Sequence, residues 1–283
     1  MSWAVFFAAL ASACLHASWN VIAKMQRVPS EVVLGILLAT AVVYLAALPL
    51  IGVPPAPAWP WLIAAATFNV IYSRALMAAY DLAPLNLAYS VVRAMLPPML
   101  FALGFAFFGE TLGVLAVLGL ALIVTALVLF GLQGRASTGA DARGVWLAAL
   151  AGFVAAFSYA CDIKGARLSA SGLFTILQYG SASSLTTAAG LLAVSLAEGK
   201  QPVAILRRNW RACASGALLL TTSYLTALWA YTQGPVGLVA PVRETSILFG
   251  GVMAFLILKE RIGPRQWAAI GIAAIGAILI KIR

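Results

Sequence analysis

The chain states one pattern twice, and that repetition constrains its fold more than any other feature. Ala8-Ala9-Leu10-Ala11, Ser18, Lys24 and Arg27 are answered, at a constant shift, by Ala148-Ala149-Leu150-Ala151, Ser158, Lys164 and Arg167. Further on, Pro84, Arg93, Glu110 and Gly113 are answered at a second, nearly constant shift by Pro235, Arg243, Glu260 and Gly263. An ordered series of matches is an internal duplication, so both copies are expected to fold as the same unit.

The unit is set by hydropathy. The chain is 63% hydrophobic and 9% charged, with a mean hydropathy of +1.01, more apolar surface than a soluble domain of 283 residues can hide. A helix needs about 20 apolar residues to cross the hydrocarbon core. That rule gives ten spans, near Trp3–Ala23, Val32–Gly52, Trp59–Ala79, Asn86–Phe108, Gly113–Leu132, Gly144–Ile163, Leu173–Ala197, Ala212–Thr232, Val236–Leu258 and Gln266–Ile282. Pro54-Pro55-Ala56-Pro57 is a stiff turn, and the Gly-, Ser- and Arg-rich segment from Gln133 to Arg143 is the natural linker. The expected domains are therefore 1–132, a linker over 133–143, and 144–283. Each copy holds an odd number of spans, so the two lie in the bilayer with opposite orientations. The fold class is an all-α polytopic membrane protein, ten transmembrane helices in a 5+5 inverted repeat. Such repeats are the architecture of secondary transporters.

The net charge of +10 does not point to nucleic acid, because no basic residues cluster with aromatics in a polar segment. The excess lies in short loops, as orientation signals and anionic-lipid contacts do. Odd-numbered loops carry Arg135, Arg143, Lys200, Arg207, Arg208, Arg211, Lys259, Arg261 and Arg265, against Lys281 and Arg283 opposite. Positive-inside counting puts those loops in the cytoplasm and both termini outside. The first segment lacks a basic n-region and reads as span one rather than a cleavable signal. Cys14, Cys161 and Cys213 have neither CxxC nor metal spacing and read as packing residues. Ala269, Ala273 and Ala277 with Gly271 and Gly276, and Gly113 with Gly119, are spaced for close helix contact, as scaffold or as a dimer face.

Charges inside the hydrocarbon are costly and mark candidate sites. Arg93 and Arg243 each lie about 10 Å into their spans, at 1.5 Å per residue, and enter from opposite faces. They therefore bracket the midplane, where transporter sites lie. Glu244 reads as the one carboxylate well inside the membrane, a candidate for coupling or for an ion pair with Arg74 or Arg93. Arg74, near the end of span three, is expected to snorkel to the interface rather than to contact ligand. Glu244 is not expected to face Arg243, since helix neighbours point about 100° apart. His16 and Asn20 share a helix face, for substrate or proton contact or for packing. Some of Trp19, Tyr72, Tyr89, Tyr159, Tyr179, Tyr224, Trp229 and Tyr231 are expected to line a cavity. Pro97, Pro98 and Pro241 free backbone carbonyls and are candidate hinges. Three arginines against one glutamate tilt the expected cavity positive.

An enzyme is disfavoured: there is no HExxH, no GxSxG and no paired aspartates, and one histidine cannot build a metal site alone. A channel lacks its ring of like charges or filter sequence. Ala240-Pro241-Val242-Arg243-Glu244-Thr245-Ser246, followed by Glu260-Arg261, resembles the EamA family of the drug/metabolite transporter superfamily. The first half resembles it through Leu15-His16-Ala17-Ser18-Trp19-Asn20 and through Arg93 with Gly109-Glu110. The resemblance implies a five-plus-five inverted arrangement with a central cavity among spans one to four of each half, and export of amino acids or other small metabolites. It places His16, Asn20, Arg93, Arg243 and Trp229 near the path, and both termini in the cytoplasm, against the charge count. Ser90-Val91-Val92-Arg93 departs from the family's Pro-x-x-Arg, which moves the expected kink to Pro97-Pro98.

The expectation is a multi-pass transporter of the bacterial inner membrane, working by alternating access. Its substrates are small carboxylate- or phosphate-bearing solutes, amino acids among them, because guanidinium forks bind such groups. The alternative is an exporter of lipophilic cations through Glu244 and aromatic faces. No cofactor or metal is expected, the partners are substrate and lipid, and the protein is a monomer or weak homodimer.

Overall fold

The computed structural model describes residues 1–83, 85–132, 141–169, 172–259 and 263–282. The expected linker therefore lies mostly outside the described residues, as do Pro84, Glu260 and Arg261. Among the described residues the chain is helical, without strands. The helices are α1 (Trp3–Lys24), α2 (Pro29–Ile51), α3 (Trp59–Leu82), α4 (Leu85–Phe108), α5 (Val114–Leu132) and α6 (Ala142–Leu168). They continue as α7 (Leu173–Ala197), α8 (Pro202–Arg208), α9 (Trp210–Gln233), α10 (Val236–Glu244), α11 (Ser246–Leu258) and α12 (Pro264–Ile282). Nine segments are long and apolar enough to cross a membrane, with α10 and α11 together forming one of them, and α5 is a shorter apolar helix. Large apolar side chains such as Leu50, Val114 and Trp146 stand exposed on the outside, as lipid-facing residues do. The chain is a multi-pass membrane protein.

Local signals set the helix starts. Ser2 Oγ accepts the Val5 N–H at 3.2 Å, Asp141 Oδ1 accepts the Arg143 N–H at 2.9 Å, and prolines open α2, α8 and α12. The packing repeats itself when the halves are exchanged. Helix α1 packs on α9 as α6 packs on α3, and α1 packs on α10 and α11 as α6 packs on α4. The pairs α2–α7 and α5–α12 map onto themselves.

The ends of the bundle reveal the inversion. Lys281 Nζ, at the end of α12, donates to the Met1 carbonyl at 3.2 Å and lies over the Trp3 ring. At this same end, where Val5 approaches Gly234, Arg167 near the end of α6 donates to the Gly234 carbonyl at 2.9 Å. Helix α1 therefore begins where α6 ends, which sets the two halves in opposite directions.

Three features depart from the expected spans. Span nine is two helices that meet at Thr245, α8 is a short extra helix ahead of α9, and α6 runs on to Leu168 instead of stopping at Ile163. Ala269, Ala273, Gly276 and Ala277 of α12 are covered by the chain itself, whereas Gly271 is exposed. Gly119 and Gly276 bring the α5 and α12 backbones together, so that a Cβ on Gly119 would stand 2.6 Å from the Gly276 carbonyl oxygen.

Candidate functional site

A buried ionic cluster joins the two halves at mid-depth. Arg93 of α4, Arg243 of α10 and Glu244 are 5%, 4% and 0% exposed. Glu244 Oε2 accepts from Arg93 Nη1 at 2.7 Å, and its Oε1 accepts from Arg243 Nη1 at 3.2 Å. The duplicated arginines thus converge on one carboxylate. Sequence spacing set Arg243 and Glu244 on different faces, and the structure corrects this. Helix α10 ends at Glu244; the Thr245 N–H turns back to the Val242 and Arg243 carbonyls, and Thr245 Oγ1 donates to Val242 O at 2.6 Å. At that interruption the long Arg243 side chain reaches its neighbour's carboxylate.

His16 completes the cluster. Its Nε2 touches Arg93 Nη2, and its Nδ1 accepts from Trp19 Nε1 at 3.3 Å. Guanidinium and indole nitrogens only donate, and a neutral imidazole offers one lone pair, so His16 can accept from only one of them at a time.

Beside the cluster lies a cavity of about 160 Å³. Its wall draws on α1, α2, α3, α6, α7, α9 and α10, so both halves contribute. Arg243 and His16 face it, together with Tyr159, whose hydroxyl accepts from Arg243 Nη1 at 3.0 Å and whose ring lies under the guanidinium at 5.1 Å. Arg243 Nε has no hydrogen-bond partner. Much of the remaining wall is hydroxyl or amide, including Thr40, Asn69, Ser184 and Thr221.

The same wall carries a carboxylate that the sequence reading missed. Asp162 is partly exposed, through the cavity it lines. Its Oδ1 accepts from Ser183 Oγ at 2.8 Å and from Tyr179 Oη at 3.1 Å, and its Oδ2 accepts from Tyr224 Oη at 2.8 Å. No described cationic side chain forms a salt bridge with it. Glu244 is therefore not the one carboxylate inside the bundle.

The other singled-out residues divide clearly. Arg74 is not near Glu244; its side chain is 51% exposed and pairs with Glu198 at the surface. Among the described residues the charges in the cluster and on the cavity wall are accordingly two arginines against two carboxylates, not three against one. Arg93 does not line the cavity and instead reaches His16 and Glu244. Asn20 donates to the His16 carbonyl at 2.7 Å and is not on the cavity wall. Trp229 is half-buried between two apolar clusters, also off the wall. Pro97 and Pro98 sit inside an α4 that stays helical throughout, whereas the break in the second half falls at Thr245, four residues beyond Pro241. Tyr159 and Tyr224 line the cavity, Tyr179 holds Asp162, and the Tyr89 side chain lies outside the described residues. No cluster of metal-ligating side chains occurs among the described residues.

A second polar cluster lies at the end of the bundle that carries the N-terminus. Arg167 Nη2 donates to Glu110 Oε1 at 3.1 Å, to Tyr231 O at 3.0 Å and to Gly234 O, while Glu110 Oε2 accepts the Gly237 N–H at 3.2 Å. These bonds tie the α4–α5 loop of the first half to α6, α9 and α10 of the second.

Comparison with known proteins agrees with this architecture. A solved crystal structure of a protein shares the fold with a TM-score of 0.75 at 17% identity, covering 98% of this chain and 95% of that chain. No curated protein matches significantly. A model of the EamA-like transporter family matches residues 142–282. The chain belongs to the EamA-like transporter family and is a membrane transporter of the drug/metabolite transporter superfamily.

Proposed function

We propose that the chain exports small metabolites bearing a carboxylate or phosphate, amino acids among them, across a bacterial cytoplasmic membrane by alternating access. The central cavity is the binding site, and the halves 1–132 and 144–283 are the units that rock around it. The observation that carries this reading is Arg243. It stands in the cavity wall with one nitrogen held by Tyr159 and Glu244, and its guanidinium is the cationic group there that suits an anion. Arg93, His16 and Glu244 hold it in place from behind. The lipophilic-cation alternative loses Glu244, which is fully buried and already engaged by two arginines, and would have to use Asp162 on the cavity wall beside Arg243.

Alternation requires a gate at each end. The Glu110–Arg167 cluster supplies a closed one at the N-terminal end. Opening there breaks the Glu110–Arg167 ion pair and the Gly237 N–H bond to Glu110, which join the two halves, while the midplane cluster persists.

The test is thermal stabilisation of the purified protein by amino acids, organic acids, phosphate esters and lipophilic cations, since a ligand of the folded state raises the melting temperature by mass action. The reading predicts anionic or zwitterionic hits that Arg243→Ala loses. Cationic hits that survive Arg243→Ala and Arg93→Ala would overturn it.

A further inference from the structure

The cavity carries two opposite charges at separate places on its wall, and this narrows the substrate further. At one pole Arg93, Arg243 and Glu244 sum to a single excess positive charge, presented to the cavity by Arg243. At the other pole Asp162 carries one negative charge among three hydroxyl donors and no described salt-bridge partner. Both poles are anchored on α6: Tyr159, which holds Arg243, and Asp162 lie on the same helix face, their backbone positions about 5 Å apart along the axis.

We infer that Asp162, with Tyr179, Ser183 and Tyr224, is a second recognition site that receives a cationic group, an ammonium in the simplest case, of the solute whose anionic group meets Arg243. The inference rests on the proposed anion site at Arg243 and adds a requirement to it. A purely anionic solute would leave Asp162 uncompensated in a low-dielectric wall, and a purely cationic one would leave the arginine excess uncompensated. A small dipolar solute with its charges a few bonds apart compensates both. The hydroxyls position the carboxylate without neutralising it, and Oδ2, which accepts from Tyr224 alone among the described contacts, has lone pairs left for an incoming donor.

Among the described residues no charged side chain bonds directly to this carboxylate. Tyr179 of α7 and Tyr224 of α9 are the titratable side chains that do, and Cys161 is its chain neighbour on α6. Gly165 protects the arrangement. A Cβ there would stand 2.5 Å from the Tyr179 hydroxyl oxygen, so only glycine lets the ring lie flat against α6 and reach Asp162.

The experiment measures binding to full-length protein in lipid nanodiscs. The ligands are the standard amino acids, each beside its des-amino acid and its decarboxylated amine. The proteins are wild type, Asp162→Asn and Arg243→Gln, with melting temperature and elution profile as folding controls and Ser183→Ala as a milder second variant. Wild type should prefer at least one amino acid over both partial analogues by about a hundredfold, the scale set by leaving one buried charge unpaired. Asp162→Asn should abolish the preference over the des-amino acid and keep the preference over the amine, and Ser183→Ala should weaken the former in the same direction. Equal wild-type affinity for an amino acid and its des-amino analogue would overturn the inference while leaving the anion site standing. So would an Asp162→Asn protein that folds and keeps the full discrimination. Binding of amines alone would overturn both readings, and binding of no ligand in the panel would overturn this inference.

Discussion

At the residue scale, Glu244 holds the molecule's centre together. It is buried and spans two arginines that approach from different helices. Burying three charges is costly in itself, and the triad is tolerated because each charge has an opposite partner. Removing the shared carboxylate leaves two like charges in the core. Glu244→Gln is therefore expected to cost roughly 3–5 kcal/mol, visible as a large fall in melting temperature in detergent. A Glu244→Gln protein that melts with the wild type would show that the triad contributes little. Replacing Arg93 and Arg243 together with Glu244 by apolar residues of similar size should be better tolerated than the single change, and this separates stability from function.

At the element scale, α5 and α12 meet backbone to backbone through Gly119 and Gly276. A branched side chain at Gly119 has no space without separating the helices. Gly119→Val is expected to lose about 1–3 kcal/mol or more and to lower the folded yield; an unchanged yield and melting point would contradict the packing. This contact was legible in the sequence, since small residues at helical spacing mark close approach, and so were the spans and the inversion. Other elements were not legible, for physical reasons. Hydropathy fades at Lys164 and Arg167, so the expected sixth span stops at Ile163 and leaves Asp162 at the membrane edge. The helix continues to Leu168, because Arg167 finds Glu110 and two backbone carbonyls, and Asp162 is drawn inside to meet hydroxyls from α7 and α9. Those partners are far away in sequence, and no periodicity announces them. The Arg243–Glu244 contact was hidden in a different way: spacing rules assume an unbroken helix, and α10 ends there.

At the scale of the whole molecule, the duplication gives two halves of opposite direction, a cavity between them and a polar closure at the N-terminal end. The arginines that repeat in sequence meet in space at Glu244. On the proposed rocking motion this central cluster lies where displacement is least, and the Glu110–Arg167 cluster, at the periphery, where it is greatest. Arg167→Ala should therefore favour opening at the N-terminal end without disturbing the centre. The direct measurement is the accessibility of a cavity residue from each side of the membrane. Thr187 lines the cavity on α7, and a Thr187→Cys protein with Cys14, Cys161 and Cys213 replaced by serine can be placed in sealed vesicles. Labelling by a membrane-impermeant maleimide is then followed from either face. Alternating access predicts that both faces label Thr187→Cys, with rates that substrate changes in opposite directions, and that Arg167→Ala speeds labelling from the N-terminal face. Labelling from one face alone, unaltered by substrate and by Arg167→Ala, would contradict it.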